Sequence, residues 1–332
     1  MRDLLSLFCG PGGMDEGFRQ AGFRTGIAVD VDPDAVRTFS MNHPGSRAIV
    51  ADIRDLSVGD LDRENGGRFE PVGVIGGPPC QSFSVSNVHQ REDDPRHDLP
   101  MEYAGLLSAL NYRSPVSFFV FENVPGLLGV KYASSYSRFK SAFVGAGFNV
   151  FDCVMDASDY LVPQHRRRVI MVGINCLLHP GVDWVEPLKY MSTRTVRDAI
   201  GHLPDPVYFE KGLDPESFPV HPNHWCANVK SKKFIAASPI PEGGSLGRSF
   251  RTLHWDEPSP TVAYGHREMH VHPSGTRRVS IYEAMLLQSF PESYRLYGTL
   301  SSQVKQVSEA VPPLMAKEIA LQIKSCVCRC NP

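Results

Sequence analysis

Five short runs rich in branched and aromatic residues, each ending at a loop with a polar or reactive side chain, constrain this chain more than anything else in it. They lie at residues 4–8, 26–29, 47–50, 72–75 and 116–121, and helical patterns at 14–20, 33–42 and 101–110 fall between them. Strands that alternate with amphipathic helices in this way build a parallel sheet covered by helices. In an open sheet of that kind, ligands bind beyond the carboxyl ends of the strands. The residues just past each run are therefore the first candidates for chemistry: residues 9–13, Asp30, Asp52, Cys80 and Glu122.

Between about residues 175 and 250 the alternation fades, and Pro, Gly, His and aromatic residues replace long periodic runs. Helical patterns return at 280–288 and 314–324, and the last is expected to rejoin the first lobe. A chain of 332 residues is longer than one core serves efficiently, so a large and a small lobe are expected. With 42% hydrophobic and 21% charged residues it has the composition of a globular protein, which excludes disordered and fibrous classes.

The first apolar run is broken by glycine too soon for a signal peptide or a membrane span, so a cytoplasmic protein is expected. Cys9, Cys80, Cys153, Cys176 and Cys226 are too scattered for a disulfide framework. A net charge of −2 argues against holding nucleic acid by global charge. Local basic clusters remain, at residues 166–168, at Lys230 with Lys232 and Lys233, and at Arg277 with Arg278. Neither His221, His224 and Cys226 nor Cys326, Cys328 and Cys330 have the paired spacing of a structural zinc site, and no metal is expected.

Phe8-Cys9-Gly10-Pro11-Gly12-Gly13 reads as a tight glycine turn that lets backbone approach a nucleotide-like ligand. The dinucleotide fingerprint needs a third glycine where this chain has Asp15, so a nicotinamide dehydrogenase is disfavoured and an adenosine-type ligand without pyrophosphate fits better. Asp30 is placed to accept from ribose hydroxyls and Asp52 from an adenine amino group, although either acid could instead cap a helix or a turn. Gly76-Gly77-Pro78-Pro79-Cys80-Gln81 combines glycines for close approach with prolines that stiffen a turn displaying a thiol. Glu122, at another strand end, lies beside that thiol if the two strands are neighbours, and thiol plus acid suggests covalent catalysis. In the run 164–168, Gln164, Arg166 and Arg168 share one side of an extended segment.

Taken in order, these pieces resemble the DNA cytosine-5 methyltransferase family over nearly the whole chain. The motifs that carry the resemblance are the loop 8–13, Pro79-Cys80-Gln81, Glu122-Asn123-Val124 and Gln164-x-Arg166-x-Arg168. Arg251 with residues 259–262, and Gln288, Phe290 and Pro291 followed by residues 310–313, extend it. The resemblance implies an α/β, Rossmann-like S-adenosylmethionine-dependent methyltransferase sheet with a second, smaller and irregular target-recognition domain. Its expected boundaries are 1–186 plus 306–332 for catalysis and cofactor binding, and 187–305 for target recognition.

The same resemblance implies methyl transfer from S-adenosylmethionine, leaving S-adenosylhomocysteine, to carbon 5 of a cytosine flipped out of double-stranded DNA. Expected catalytic residues are Cys80, Glu122, Arg166 and Arg168. Expected around the cofactor are Phe8, Cys9, Gly10, Gly12, Gly13, Asp30, Val31, Asp52, Ile53, Pro79, Leu99, Glu309 and Ala310. Expected on DNA are Gln81, Ser84, Ser86, Arg96, Gln164, Lys230, Lys232 and Lys233, with a closing loop at 84–99. A monomer is expected, with no membrane partner and a cognate restriction endonuclease as a functional partner. The chain departs from the family at Ser308-Glu309, where Gly-Asn is usual, and at Ser6, where the first strand usually carries Asp. The rivals are the same chemistry on tRNA and a catalytically silent DNA-binding homologue.

Overall fold

The computed structural model describes residues 3–79, 98–247, 250–261, 263–264 and 268–327. Cys80, Gln81, Ser84, Ser86, Arg96, Val262, Cys328 and Cys330 lie outside them.

All four residues of the first strand, β1 (Leu4–Leu7), are buried, as expected of a strand covered on both faces. It lies between β2 (Thr25–Asp30) and β4 (Gly73–Gly76), parallel to both. The sheet continues through β3 (Arg47–Val50) on one side. On the other side it continues through β5 (Phe118–Asn123), β8 (Arg167–Asn175) and β6 (Phe148–Asp156). The full order is β3-β2-β1-β4-β5-β8-β6, with β8 antiparallel to β5. The short β7 (Gln164–His165) pairs instead with Ser259–Pro260. From β1 the chain moves to β2 on one side and later reaches β4 on the other. The loops after β1 and β4 therefore flank the point where strand order reverses, the position at which such sheets bind ligands.

Helices α1 (Gly13–Gln20), α2 (Pro33–Asn42), α3 (Val58–Asn65), α4 (Leu99–Arg113) and α5 (Ala133–Gly145) connect these strands. Aromatic rings fill the core between sheet and helices: Phe119 stacks on Phe143 at 4.3 Å, and the Tyr103 hydroxyl lies 3.0 Å from the carbonyls of Val74 and Val120. The hydroxyl thus ties α4 to β4 and β5. Two helices, α3 and α5, show no clear apolar stripe in sequence, because α3 buries only Leu61 and α5 only Phe139 and Phe143. A Ser57–Asp60 capping box starts α3 in place of a hydrophobic signal.

The chain divides into two compact units. The first comprises Met1–Met155, Arg167–Leu188 and Ala316–Pro332, and the second Asp156–Arg166 and Lys189–Met315. Asp156–Arg166 thus packs in the second unit although it falls within the expected first domain. Its backbone closes on itself, Ala157 N–H donating to Arg166 O and Arg166 N–H to Asp156 Oδ1. The last helix, α10 (Pro313–Val327), returns to the first unit from Ala316 onward, where Lys324 donates to Ala21 O at the end of α1.

Strands of two residues and short helices make up the second unit: α6 (Val196–Ile200), α7 (Lys232–Ala237), α8 (Ile281–Leu287) and α9 (Leu300–Glu309). Trp225, Tyr282, Met285 and Val307 belong to its core. The stretch α9 gave no helical pattern in sequence because Gln303 and Gln306 occupy its buried face. Both are satisfied there, Gln303 Oε1 accepting from Trp225 Nε1 at 2.9 Å and Gln306 Nε2 donating to Tyr297 O at 2.8 Å. Among the described residues no helix is long and apolar enough to cross a membrane.

Candidate active site

Two loops at the strand-order reversal build the first half of the site. After β1, Phe8, Gly10 and Gly12 all take positive φ, at 53°, 54° and 89°, so the backbone coils tightly before α1 begins. Gly12 caps α1 with no side-chain hydrogen bond, so the cap itself offers nothing but main chain to the first-turn amides. Asp30, ending β2, takes the Gly10 N–H on Oδ2 at 2.8 Å and the Asp32 N–H on Oδ1 at 2.9 Å. Asp32, not Asp30, caps α2. Beside Asp30, Val31 is 58% exposed, an apolar surface next to a carboxylate. Ile53 and Leu99 are buried in one cluster, and Phe8 packs against it.

Asp52 takes the role of a turn cap: its carboxylate accepts the Arg54 N–H at 3.0 Å and pairs with the Arg54 guanidinium. The hydrogen bond from that guanidinium holds the Asp52 carboxyl below its ordinary range. The alternative of a turn acid, open from sequence, is thus what its local geometry shows, although a carboxylate so paired still has acceptor capacity.

Strand pairing places the second half. β4 and β5 are neighbours in parallel register, Gly76 opposite Phe121, so the loop after β4 leaves beside Glu122. A Cβ built on Gly77 would stand 2.5 Å from Glu122 Oε2, so only glycine admits this approach. Asn123 Nδ2 donates to Pro78 O at 3.3 Å and fastens the same loop. Pro79, the residue before Cys80, is exposed. Because β8 runs antiparallel to β5, its first residues arrive at the carboxyl end of β5, with Asn123 opposite Val169. Arg168 Nε consequently lies 2.8 Å from Glu122 Oε1, in a pair of largely buried side chains.

Along 164–168 burial alternates as period two requires: Gln164 and Arg166 are buried, His165 and Arg167 exposed, Arg168 half-buried. Arg168 joins Glu122 in the first unit, whereas Gln164 and Arg166 belong to the second. Both of these are fully buried. Lys230, Lys232 and Lys233 are exposed in the second unit. Lys230 also lines a cavity of about 370 Å³ with Trp225, Phe250 and Arg278, whose guanidinium stacks 4.2 Å from the Phe250 ring centre. Glu309 is exposed and Ala310 buried at the end of α9.

Both ring nitrogens of His224 are engaged, by Ser280 Oγ and Pro204 O at 2.9 Å each, and His221 Nδ1 accepts the Asn223 N–H. These histidines serve the fold of the second unit. Sequence alone missed Thr25 and His43, which surround Asp15 behind the loop 8–13. Asp15 itself was legible only as the residue standing where a dinucleotide site needs glycine.

A sheet that reverses its strand order beside a glycine turn, with an antiparallel strand set between β5 and β6, defines a Rossmann-like methyltransferase fold. Comparison with known proteins narrows this to a family: the chain belongs to the C-5 cytosine-specific DNA methylases, matching over residues 3–325. It is a DNA cytosine-5 methyltransferase. The type II methyltransferase M.MthTI of Methanothermobacter thermautotrophicus is 31% identical, with 97% of each chain covered. M.FnuDI of Fusobacterium nucleatum, also a type II methyltransferase, is 30% identical over 97% of this chain and 94% of its own. Among solved structures, a prophage-encoded protein of E. coli, described as a DNA modification methyltransferase, superposes with a TM-score of 0.81 at 24% identity. The match covers 98% of this chain and 99% of that one, and at such identity it supports the shared fold alone.

Proposed function

We propose that the enzyme methylates cytosine in a specific double-stranded DNA sequence through a covalent adduct between Cys80 and carbon 6 of the flipped-out base. The observation that carries this reading is the Glu122 carboxylate, packed against Gly77 three residues before Cys80 and paired with Arg168 at 2.8 Å. Cytosine carbon 5 is a poor nucleophile until a thiolate adds to carbon 6 and turns the ring into an enamine. Addition drives negative charge onto ring nitrogen 3 and the carbonyl oxygen. Glu122 shares a proton with nitrogen 3, and Arg168 faces the oxygen, so the charge is neutralised as it forms. Loss of the carbon 5 proton to a base then expels Cys80 and restores the aromatic ring. Gln164 and Arg166, being buried, support the segment that delivers Arg168.

The residues beyond β1 and β2 fit S-adenosylmethionine. Gly10, with open space where a Cβ would stand, admits a ligand against the main chain, Asp30 offers acceptors to ribose hydroxyls, and exposed Val31 offers an apolar face to adenine. Once bound, the cofactor supplies an electrophilic methyl group on sulfonium. Pro79, Ile53 and Leu99 complete the first-unit side of this site. Exposed Lys230, Lys232 and Lys233 contact DNA phosphate in the target-recognition domain, with Gln81, Ser84, Ser86 and Arg96 reaching the opened duplex. The enzyme acts as a monomer on cytoplasmic DNA and protects sites from a cognate restriction endonuclease.

Duplex DNA carrying 5-fluorocytosine at the target tests the covalent step. With labelled cofactor the wild-type enzyme is expected to be trapped on DNA through a peptide containing Cys80, and Cys80→Ser to give no adduct. An adduct at another residue, or transfer to tRNA in preference to DNA, would overturn the reading.

A further inference from the structure

Beneath the loop at residues 8–13 lies a buried acid that has no part in the chemistry. Asp15, the third residue of α1, is 1% exposed. Its Oδ2 accepts from Ser6 Oγ of β1 at 2.9 Å and its Oδ1 from Thr25 Oγ1 of β2 at 2.7 Å. His43, just past α2, is buried beside it, packs its ring 4.5 Å from Phe39 and hydrogen-bonds to the main chain of Gly12. Four elements thus meet behind a loop in which Phe8, Gly10 and Gly12 all take positive φ.

Burial raises the Asp15 carboxyl and lowers the His43 imidazole from their ordinary ranges, so keeping both groups there works against folding. A buried carboxylate and a left-handed Phe8 persist only where the surroundings fix them. We infer, resting on the reading of residues 8–13 as the cofactor loop, that Asp15 is a positioning residue for the cofactor: through Ser6 and Thr25 it pins the first turn of α1 to β1 and β2, holding the loop ready before the cofactor arrives. Ordering the loop in advance removes that cost from binding. The carboxylate, not the particular residue that bears it, is what matters. Exchanging the two partners, Ser6→Asp with Asp15→Ser, keeps one acid and one hydroxyl in the same buried space.

Calorimetric titration of the full-length protein with S-adenosylhomocysteine, together with steady-state kinetics and unfolding midpoints, tests this. Asp15→Ala is expected to weaken binding by about 10- to 30-fold, the loss of two hydrogen bonds, and to raise KM for the methyl donor similarly. At saturating donor, kcat should stay within about threefold of wild type, since no reacting group is touched. Thr25→Val, a milder change that guards against an unfolded Asp15 variant, is expected to weaken binding by about 3- to 10-fold. The Ser6/Asp15 exchange should recover most of the lost affinity. Lowered unfolding midpoints with unchanged affinity, or a folded exchange variant that binds no better than Asp15→Ala, would overturn the positioning role. Asp30→Ala separates the two readings. If it weakens binding while Asp15→Ala and Thr25→Val do not, only the role of Asp15 fails; if neither Asp30→Ala nor Asp15→Ala matters, the cofactor loop has been misassigned and both fail.

Discussion

Glu122 and Arg168 stand 46 positions apart in the chain and meet because an antiparallel strand starts where a parallel one ends. Glu122→Gln keeps the shape of the side chain but not a shared proton, so kcat on DNA is expected to fall by about 10²- to 10⁴-fold while DNA binding in gel-shift titrations is retained. Arg168→Ala leaves a largely buried carboxylate unpaired and is expected to cost stability, about 3–5 kcal/mol in denaturant titrations, as well as activity. A variant of Glu122 with undiminished turnover would remove the acid from the mechanism. At this scale the sequence was legible near the carboxyl ends of strands: Asp30 is the last residue of β2 and Glu122 the last but one of β5, each within the strand it was expected to follow. It was not legible where a role depends on a neighbour from another element. Nothing near Asp15 in sequence announces Thr25 or His43, and nothing about Gln164 announces full burial.

Among the elements, the turn leaving β4 is set by contact and not by propensity. Gly77 allows Glu122 within a distance no side chain would tolerate, so Gly77→Ala must push the carboxylate or the loop aside. The expected outcome is a kcat at least about 10-fold lower, since a displacement near 1 Å at the reacting groups is costly. The unfolding midpoint should change little, and an unimpaired Gly77→Ala would show that the loop can retreat from Glu122 without penalty. The positions of the first five strands followed from the spacing of apolar runs, though not their order in the sheet, and α2 was legible to the residue because Asp32 and Pro33 mark its start. Helices with one or two buried side chains, such as α3 and α5, escaped because tertiary contacts and caps hold them where a periodic stripe is lacking.

For the molecule as a whole, acid should act first on the second unit. His221, His270 and His272 are buried there, and burial lowers each to about 4 from 6.5. Unfolding returns them to their free value, so between about pH 4 and 6.5 the unfolded chain binds more protons and stability rises with pH. Their contribution is complete above about pH 6.5 and declines by up to about 1.4 kcal/mol per pH unit for each group as pH falls through that window. Thermal midpoints are expected to drop from pH 7 to pH 5, and His221→Phe, which keeps a ring on Tyr282 at the place of the 4.1 Å stack, should flatten the slope. An unchanged slope would mean that this imidazole does not titrate with unfolding.

The return of α10 to the first unit has a consequence for how the protein is made. From Leu188 to Ala316 the ribosome must read the entire intervening stretch before the segment that donates Lys324 to the end of α1 exists at all. At ordinary elongation speeds this wait is on the order of ten seconds, during which the first unit lacks Ile319, Ala320 and Ile323, all buried once the chain is folded. A message cut short within that interval yields a chain with its nucleophile, acid and glycine turn all translated but without the segment that ties Lys324 to the end of α1.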